Sequence, residues 1–363
     1  MPEHGRYTIS RKIAEGGMAE IFLGTQHGAA GFQRPVVVKR IHAVFSASPQ
    51  FRNMFVDEAH IAMSLNQGNI VQVLDLGMVG GRYFLILELV DGWDLNRILE
   101  RAEAEGWPLP PELALYIVAE VGRGLAFAHG REREGRPLGI VHRDVSPHNV
   151  LISEQGEVKL SDFGIATAEN RREQTLAGTV KGKIGFMSPE QASGKAIDAR
   201  SDVFSLGATL YLTVTGKRPF AARSDLEALL RTQACDFPAP LVARPDLHPE
   251  VAKIVEKAMK KSPLARYQSA EQMLLDVERV QRSVLKPVGK TELKAWLTEL
   301  AARDGAPPTS RAAAFASDGA PGELPLDGSV IVLGDSDLEP AGPRTLAGVD
   351  SRPAAPGAEA PAA

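Results

Sequence analysis

Side chains that could hold a metal ion and act on a hydroxyl group are concentrated in residues 141–164. Asp144 and Asn149 lie five positions apart, and Asp162 follows after two apolar runs within residues 150–160. These runs predict a β-hairpin that would hold the three side chains in a rigid frame. Carboxylate and amide oxygens are ligands that a hard cation such as Mg²⁺ prefers. The alternative is an ordinary turn, rich in Asp and Asn, between two strands.

The order of these residues resembles the catalytic signature of the protein kinase family. His142, Arg143 and Asp144 match the His-Arg-Asp motif, Asn149 keeps the family spacing, and Asp162 begins an Asp-Phe-Gly sequence. Over about residues 7–284 the chain resembles bacterial serine/threonine kinases of the eukaryotic-like, or Hanks, type. The resemblance implies that Asp144 accepts or orients the proton of the substrate hydroxyl. It implies that Asn149 and Asp162 hold the Mg²⁺ ions of MgATP.

The fold that this resemblance implies is α+β and two-lobed. A small β-rich N-lobe with one main helix is expected at about 7–88, and a larger, mostly helical C-lobe at about 92–284. An appended amphipathic helix at 285–303 and a disordered acidic tail at 304–363 would follow. The tail contains nine prolines, and its nine acids and three arginines give it a formal charge of −6.

The N-lobe elements must position the phosphates of ATP. Residues 7–14 and 20–27 predict two strands joined by a glycine-bearing loop, which in kinases closes over the phosphates. Only one of the three usual glycine positions holds glycine here, Gly16, and Gly17 is an extra one. The candidate nucleotide contacts in both lobes are Ile13, Gly16, Gly17, Ile21, Lys39, Glu88, Val90, Asn149, Leu151 and Asp162.

A lysine and a glutamate of the N-lobe are expected to form an ion pair. The β-branched run 35–41 predicts a buried strand that carries Lys39, and 51–65 has the apolar spacing of a helix that carries Glu58. A carboxylate that faces the protein interior is unfavourable unless it is paired, so we expect Lys39 and Glu58 to pair. The alternative is that both are solvated surface charges.

Two further strands, 71–78 and 82–89, lead into residues 87–92, which resemble the hinge between kinase lobes. By that resemblance, Leu87 would lie at the back of the adenine pocket. The backbone groups of Glu88 and Val90 would bind the edge of the adenine ring.

The C-lobe should contain helices at 94–104 and 111–130, and then an exposed charged loop at 131–137. Residues 165–184 resemble an activation segment, which ends near Glu190. The family resemblance implies a salt bridge between Glu190 and Arg266, and it implies that Asp202 braces the catalytic loop. Asp202 could instead simply cap the helix that it begins.

One departure from the family pattern affects the chemistry. Serine/threonine kinases usually carry a lysine two residues after the catalytic aspartate, where this chain has Ser146, and a threonine where it has Lys183. Loss of a cation near the γ-phosphoryl group should weaken transition-state stabilisation. Our hypothesis is that Lys183 supplies the missing charge and is catalytic; the alternative is a solvated loop lysine. Autophosphorylation is expected at Thr175 and Thr179 of the same segment.

Composition limits the other classes of function. The 363 residues carry a net charge of −4, which argues against nucleic acid as the main partner, and Cys235 is the sole cysteine. A chain with one cysteine cannot have an internal disulfide framework, so a cytoplasmic location is expected. No run of the sequence reaches the roughly twenty apolar residues of a membrane span. The run Val330–Leu333 could add as a strand to the sheet of a protein partner, or it could be an incidental apolar patch.

The predicted function is transfer of the γ-phosphoryl group of MgATP to serine or threonine hydroxyls of proteins. A pseudokinase scaffold that binds nucleotide without efficient transfer is the alternative, and a small-molecule kinase is a further one. Retention of Lys39, Glu58, Asp144, Asn149 and Asp162 argues against the scaffold. The segment that ends at Glu190 argues against a small-molecule substrate, because in the family this segment docks a polypeptide.

Overall fold

A computed structural model describes residues 7–16, 19–46, 49–163, 184–303 and 331–332, with the side chains of residues 49–54, 58 and 331–332 left out. All the described elements belong to one unit, Met1–Val332. Among the described residues, no helix is both long enough and apolar enough to cross a membrane.

The N-lobe is built on an antiparallel sheet whose strand order is β1-β2-β3-β5-β4-β11. The strands are β1 (Tyr7–Glu15), β2 (Ala19–His27), β3 (Gln33–Ile41), β4 (Val73–Val79), β5 (Arg82–Glu88) and β11 (Ile331–Val332). Side chains alternate between the two faces, as strand geometry requires. Val36 and Val38 of β3 pack with Phe22 and Phe84 in one apolar cluster of the sheet.

A second apolar cluster of the N-lobe lies between the sheet and a helix. Helix α1 (Ala43–Ser46) is short, and α2 (Pro49–Ser64) is the main helix of the lobe. Phe55 and Ala59 of α2 are fully buried and pack in a cluster with Ile41 and Leu85. The helix therefore covers the sheet at the strand that carries Lys39.

The C-lobe is helical. Its helices are α3 (Leu95–Ala104), α4 (Pro111–His129), α5 (Pro189–Ala192), α6 (Ala199–Thr215), α7 (Asp225–Ala234), α8 (Pro240–Ala243), α9 (Pro249–Ala258), α10 (Ala270–Ser283) and α11 (Lys290–Arg303). Helix α6 is buried on all sides from Ser201 to Val214. Gly207 permits this burial, because a Cβ there would lie 2.6 Å from the Cβ of Ala258 on α9.

The C-lobe also contains a small sheet of strand order β10-β9-β6. It consists of β6 (Gly92–Asp94), β9 (Val150–Ser153) and β10 (Val158–Leu160). The hairpin predicted between Asn149 and Asp162 is therefore present, with Lys159 opposite Leu151.

The charged segment 131–137 is not the plain loop that the sequence predicts. It forms a two-stranded hairpin, β7 (Glu132–Arg133) and β8 (Arg136–Pro137). Glu134 and Gly135 both have positive φ angles, 54° and 74°, which suit the two-residue turn of a hairpin. The expected exposure of these residues is correct. The hairpin was not predicted, because a run of charged residues gives no strand pattern.

The predicted two-lobed fold is confirmed, and most boundaries differ from the expectation by one or two residues. The appended helix predicted at 285–303 is α11, which begins five residues later, at Lys290, and packs on the C-lobe. Leu293, Trp296, Leu297 and Leu300 of this helix are buried in the C-lobe core. The tail at 304–363, predicted to be disordered, lies outside the described residues except for 331–332, which form β11.

Candidate active site

Asp202 holds the catalytic loop through its buried carboxylate. The backbone N–H groups of His142 and Arg143 donate to its two oxygens over 2.7 Å and 2.8 Å. His129 Nε2 lies 2.8 Å from the same carboxylate. The cap of helix α6 is Asp198, whose side chain accepts from the Arg200 N–H. Asp202 is thus a brace for the loop, and the capping role belongs to its neighbour.

His142 packs inside the loop as a neutral imidazole. Its Nδ1 accepts the N–H of Asp144 at 3.2 Å, and its Nε2 lies 2.8 Å from the carbonyl oxygen of Ser161. These partners require a proton on Nε2 and a lone pair on Nδ1. Burial lowers the pKa of His142, although the charge of Asp202 opposes this effect. The ring contacts Phe163 edge-on, with centroids 4.5 Å apart.

Asp144 and Asn149 are in direct contact. Asn149 Nδ2 donates to the backbone oxygen of Asp144 over 2.7 Å and to its carboxylate Oδ2 over 3.0 Å. Because the nitrogen end of the amide is directed to Asp144, Oδ1 is the end of Asn149 that could bind a metal ion.

Asp162 is paired with Lys39 across the lobes. Lys39 Nζ lies 2.5 Å from Asp162 Oδ1, and 37% of the Asp162 side chain remains exposed. Asp162 and Arg143 have positive φ angles of 63° and 70°. Such left-handed conformations are unfavourable for residues other than glycine and occur often at functional sites. The side chain of Glu58 lies outside the described residues, so its pairing with Lys39 stays a prediction.

The hairpin brings the two candidate metal ligands together. Asn149 immediately precedes β9, and Asp162 follows β10. The backbone N–H and the hydroxyl of Ser161 both donate to the carbonyl oxygen of Asn149, over 2.8 Å and 3.1 Å. Among the described residues no group of three or more His, Cys, Asp or Glu side chains could hold a metal ion. Two oxygen ligands fit Mg²⁺ bound mainly by water and phosphate oxygens.

The hinge residue Glu88 is engaged by both its backbone and its side chain. Its N–H donates to the carbonyl of Gln72 over 3.0 Å. Its carboxylate oxygen Oε1 accepts from the Gln72 N–H at 2.9 Å and from Lys159 Nζ at 2.7 Å. Binding of an adenine ring by the backbone groups of Glu88 and Val90 stays a prediction. Val90, the next candidate, is buried.

Lys159 is a residue that the sequence reasoning missed. It joins strand β10 of the C-lobe to the hinge, and 16% of its side chain is exposed. The available signal was the alternation Val158-Lys159-Leu160, which places the lysine on the opposite face from two buried residues. The alternation predicts on which face of the strand Lys159 lies, but it does not predict that Glu88 is its partner.

The remaining nucleotide candidates lie around the cleft strands. Gly16 is exposed and its N–H donates to the carbonyl of Ala19 over 2.8 Å, while Gly17 lies outside the described residues. Three apolar candidates are partly buried: Ile13, Ile21 and Leu151.

The end of the activation segment is fixed by a buried ion pair. Arg266 donates to both carboxylate oxygens of Glu190, over 2.6 Å and 2.7 Å, and Ser201 donates to the first oxygen over 2.7 Å. Burial alone would raise the pKa of Glu190, but the hydrogen bonds from Arg266 and Ser201 outweigh it and leave that pKa below its usual value. Gln191, next to Glu190, donates to the carbonyl of Arg143 over 2.9 Å.

Ser146, two residues after Asp144, is fully buried. Its Oγ has no hydrogen-bond partner among the described residues. The side chain proposed to compensate for it, Lys183, lies outside the described residues, as do Thr175 and Thr179. The replacement of the missing lysine by Lys183 therefore stays a prediction.

Comparison with known proteins agrees with this geometry. The model of the protein kinase domain matches residues 7–276. The chain belongs to the protein kinase family. The matched region ends at residue 276, so helix α11 lies outside it.

The chain is similar to two kinases of known bacterial origin. It is 42% identical over 295 residues to the tyrosine-protein kinase MasK of Myxococcus xanthus, covering 81% of this chain and 46% of MasK. It is 35% identical over 274 residues to the serine/threonine-protein kinase PrkC of Bacillus subtilis, covering 76% of this chain and 40% of PrkC. The chain thus spans less than half of the length of these two relatives.

A solved structure with the same fold is the kinase domain of PknI from Mycobacterium tuberculosis. The TM-score is 0.57 at 26% sequence identity, and the match covers 76% of this chain and 95% of that structure.

Proposed function

We propose that this protein transfers the γ-phosphoryl group of MgATP to hydroxyl groups of proteins, with serine and threonine as the acceptors. The observation that carries the proposal is the pair of contacts at the cleft. Asn149 holds the carboxylate of Asp144, and Lys39 holds that of Asp162. Phosphoryl transfer needs a positioned base and a positioned metal ligand at one site, and these contacts support the assignment of Asp144 and Asp162 to those roles.

Each residue has a distinct task in this proposal. Asp144 accepts the proton of the attacking hydroxyl, and Asn149 keeps its carboxylate oriented. Asn149 Oδ1 and the Asp162 carboxylate would hold Mg²⁺, which neutralises phosphate charge when bound. Lys39, which pairs with Asp162, would also contact the α- and β-phosphates when nucleotide is bound. In this ion pair the side chain of Asp162 is the more exposed one, at 37%, and that of Lys39 is 14% exposed.

The nature of the acceptor hydroxyl needs a direct measurement. PrkC is named a serine/threonine kinase, whereas MasK is named a tyrosine kinase. Pro147 fits the serine/threonine pattern, and Ser146 removes the lysine that usually accompanies it. We assign serine and threonine on the balance of these features, and phosphoamino-acid identification decides between the two classes.

The decisive experiment compares wild type with Asp144→Asn, using labelled ATP, MgCl2 and a generic protein substrate. The proposal expects phosphoserine and phosphothreonine with wild type, none with Asp144→Asn, and none when EDTA removes the metal. Nucleotide affinity is measured on both proteins as the control for folding. MgATP binding by wild type without any transfer would favour the pseudokinase scaffold instead.

Lys183 enters the proposal as the cation that replaces the family lysine at position 146. Lys183→Ala should lower kcat by roughly 100-fold, because a lost charge contact to the transferred group weakens the transition state. Ser146→Lys in the same background should recover part of that loss. Lys181→Ala is the matched control from the same segment. An unchanged kcat in Lys183→Ala would show that Lys183 has no catalytic role.

Regulation and location complete the proposal. Activation-segment phosphorylation at Thr175 and Thr179 would supply a phosphate for Arg143, and mass spectrometry after incubation with MgATP tests it. The substrates would be proteins of a cytoplasmic signalling pathway, which suits a chain with Cys235 alone. Binding of a protein partner through Val330–Leu333 stays a prediction.

A further inference from the structure

Strand β4 lies next to the outermost position of the N-lobe sheet. Its inner neighbour is β5, and without β11 it would be an edge that presents unpaired N–H and C=O groups. In the structure Ile331 lies opposite Met78, and Val332 lies opposite Gly77, in an antiparallel arrangement. The segment Ile331–Val332 therefore occupies this edge of the N-lobe sheet.

The shape of β4 explains why the pairing is confined to its second half. A register shift separates Val73 from Asp75 on the side of β5. The Leu76 N–H donates to the carboxylate of Asp75 over 3.0 Å, so it is already engaged before any added strand arrives. Tyr7 donates to the other oxygen of Asp75 over 2.7 Å and fixes that side chain. The regular edge begins after Leu76, where β11 pairs.

The sequence of the tail offers one segment suited to this edge. Val330, Ile331 and Val332 are the sole run of three β-branched residues in 304–363, a stretch that holds nine prolines. β-Branched residues favour extended backbone, whereas proline lacks the N–H that a sheet requires.

The C-lobe holds the residues that immediately precede the tail. The guanidinium of Arg303, the last residue of α11, lies 3.8 Å from the ring centre of Trp107. Arg101 of α3 donates to the carbonyl of Ala301 over 3.1 Å. The connection 304–330 contains 27 residues and can span up to about 90 Å when extended. The chain is thus long enough to reach β4 from the end of α11.

We propose that the edge of β4 is a docking site for the strand Ile331–Val332 of the same chain. Docking in cis ties the N-lobe sheet to a tail that is anchored on the C-lobe by α11. It also blocks the edge against strands from other molecules. The occupant is the tail itself; a second copy of the chain or another protein would have to displace it.

Cysteine pairs test the occupant and the register. In a Cys235→Ala background, Met78→Cys with Ile331→Cys places two thiols at directly opposed positions, where Cβ atoms lie about 5 Å apart. Met78→Cys with Val332→Cys is the matched control, because neighbouring strand positions alternate between faces. Mild oxidation should give an intrachain disulfide in the first protein and little in the second. A disulfide-linked dimer would show that the strand comes from a second copy of the chain. Equal yields of intrachain disulfide from the two cysteine pairs would contradict the register in which Ile331 lies opposite Met78. Either result overturns the proposal.

Hydrogen exchange provides a readout that does not depend on kinase activity. Ile331→Pro removes an N–H from the tail strand, and Ala347→Pro places the same residue elsewhere in the tail. We expect the amides of Gly77–Val79 to lose protection in Ile331→Pro and to keep it in Ala347→Pro. Unchanged exchange in both variants would overturn the proposal even if the protein is an active kinase.

Discussion

Lys159 Nζ lies 2.7 Å from Glu88 Oε1, and this ion pair links the hairpin of the C-lobe to the hinge strand β5. Both side chains are 16% exposed, so the pair is shielded from most of the solvent. The same oxygen accepts the N–H of Gln72. One carboxylate therefore holds a backbone group on its own lobe and a cation from the other.

Removal of Lys159 should destabilise the domain. Lys159→Met leaves the carboxylate of Glu88 half-buried without its cation, and we expect a loss of about 1–3 kcal/mol in the free energy of unfolding. Denaturant unfolding measures it. Lys253→Met is the control, because Lys253 is 70% exposed and pairs with Glu250 at the surface. Equal effects of the two substitutions would contradict the role of the hinge pair.

The Glu190–Arg266 pair predicts a dependence of stability on pH. The folded-state pKa of Glu190 lies below the unfolded reference value of 4.5, so its contribution is present above that value and is lost as the pH falls through the folded pKa. Glu190→Gln should therefore lose less stability than wild type on acidification from pH 5 to lower values. Unfolding curves measured across this range test it. Glu103→Gln, which changes an exposed acid, should follow wild type.

Arg266→Met tests the other side of the same pair. It leaves Glu190 buried and without its cation, and such losses reach about 3–5 kcal/mol. Thermal and denaturant unfolding should show a much larger effect than Glu190→Gln shows at neutral pH. Similar losses for the two variants would indicate that packing of Arg266 on Phe204, and not the charge of Glu190, dominates.

Asp202→Asn should affect catalysis, since the carboxylate accepts the N–H groups of His142 and Arg143 next to Asp144. An amide can accept at one position only, and displacement of a catalytic group by about 1 Å can reduce the rate roughly 100-fold. We expect kcat to fall with the KM for ATP little changed. Asp198→Asn alters the acid that caps the same helix, and it should retain kcat.

Gly156→Ala tests how closely α11 packs on the hairpin. Gly156 has φ +81°, and an added Cβ would lie 2.2 Å from the carbonyl oxygen of Lys290 at the start of α11. Gly139→Ala is the matched control, with φ +61° but nothing within 4 Å of the added carbon. The left-handed backbone alone costs about 1 kcal/mol, so a clearly larger loss in Gly156→Ala is the effect of contact with α11. Equal losses of unfolding free energy would show that α11 does not pack there.

The strands and the main helix of the N-lobe, and the long helix α4 of the C-lobe, could be predicted from the sequence, because apolar periodicity decides them locally. The hairpin at 131–137 could not, because its short strands carry no apolar alternation. The brace at Asp202 followed from the family resemblance. The partner of Glu88 could not be predicted, because Lys159 lies 71 residues away and its pattern carries only the choice of face. For the same local reason the run Val330–Leu333 was predicted either to add as a strand to a partner's sheet or to be an incidental apolar patch. Its position on β4 was not, because β-branched residues do not specify which edge they join.

The contact of Gly207 with Ala258 sets a limit on how this protein can evolve. Helix α6 carries Asp202, which braces the catalytic loop, and it also carries Ser201, which binds Glu190. A side chain at position 207 would push α6 away from α9 and displace both groups together. Substitutions at 207 and 258 are therefore coupled: we expect Gly207→Ala to be tolerated better when Ala258 is also replaced by glycine, which removes the Cβ that the new one would meet. We expect the two positions to change as a pair, because a lone change at 207 would disturb the brace at Asp202 and the ion pair of Glu190 at once.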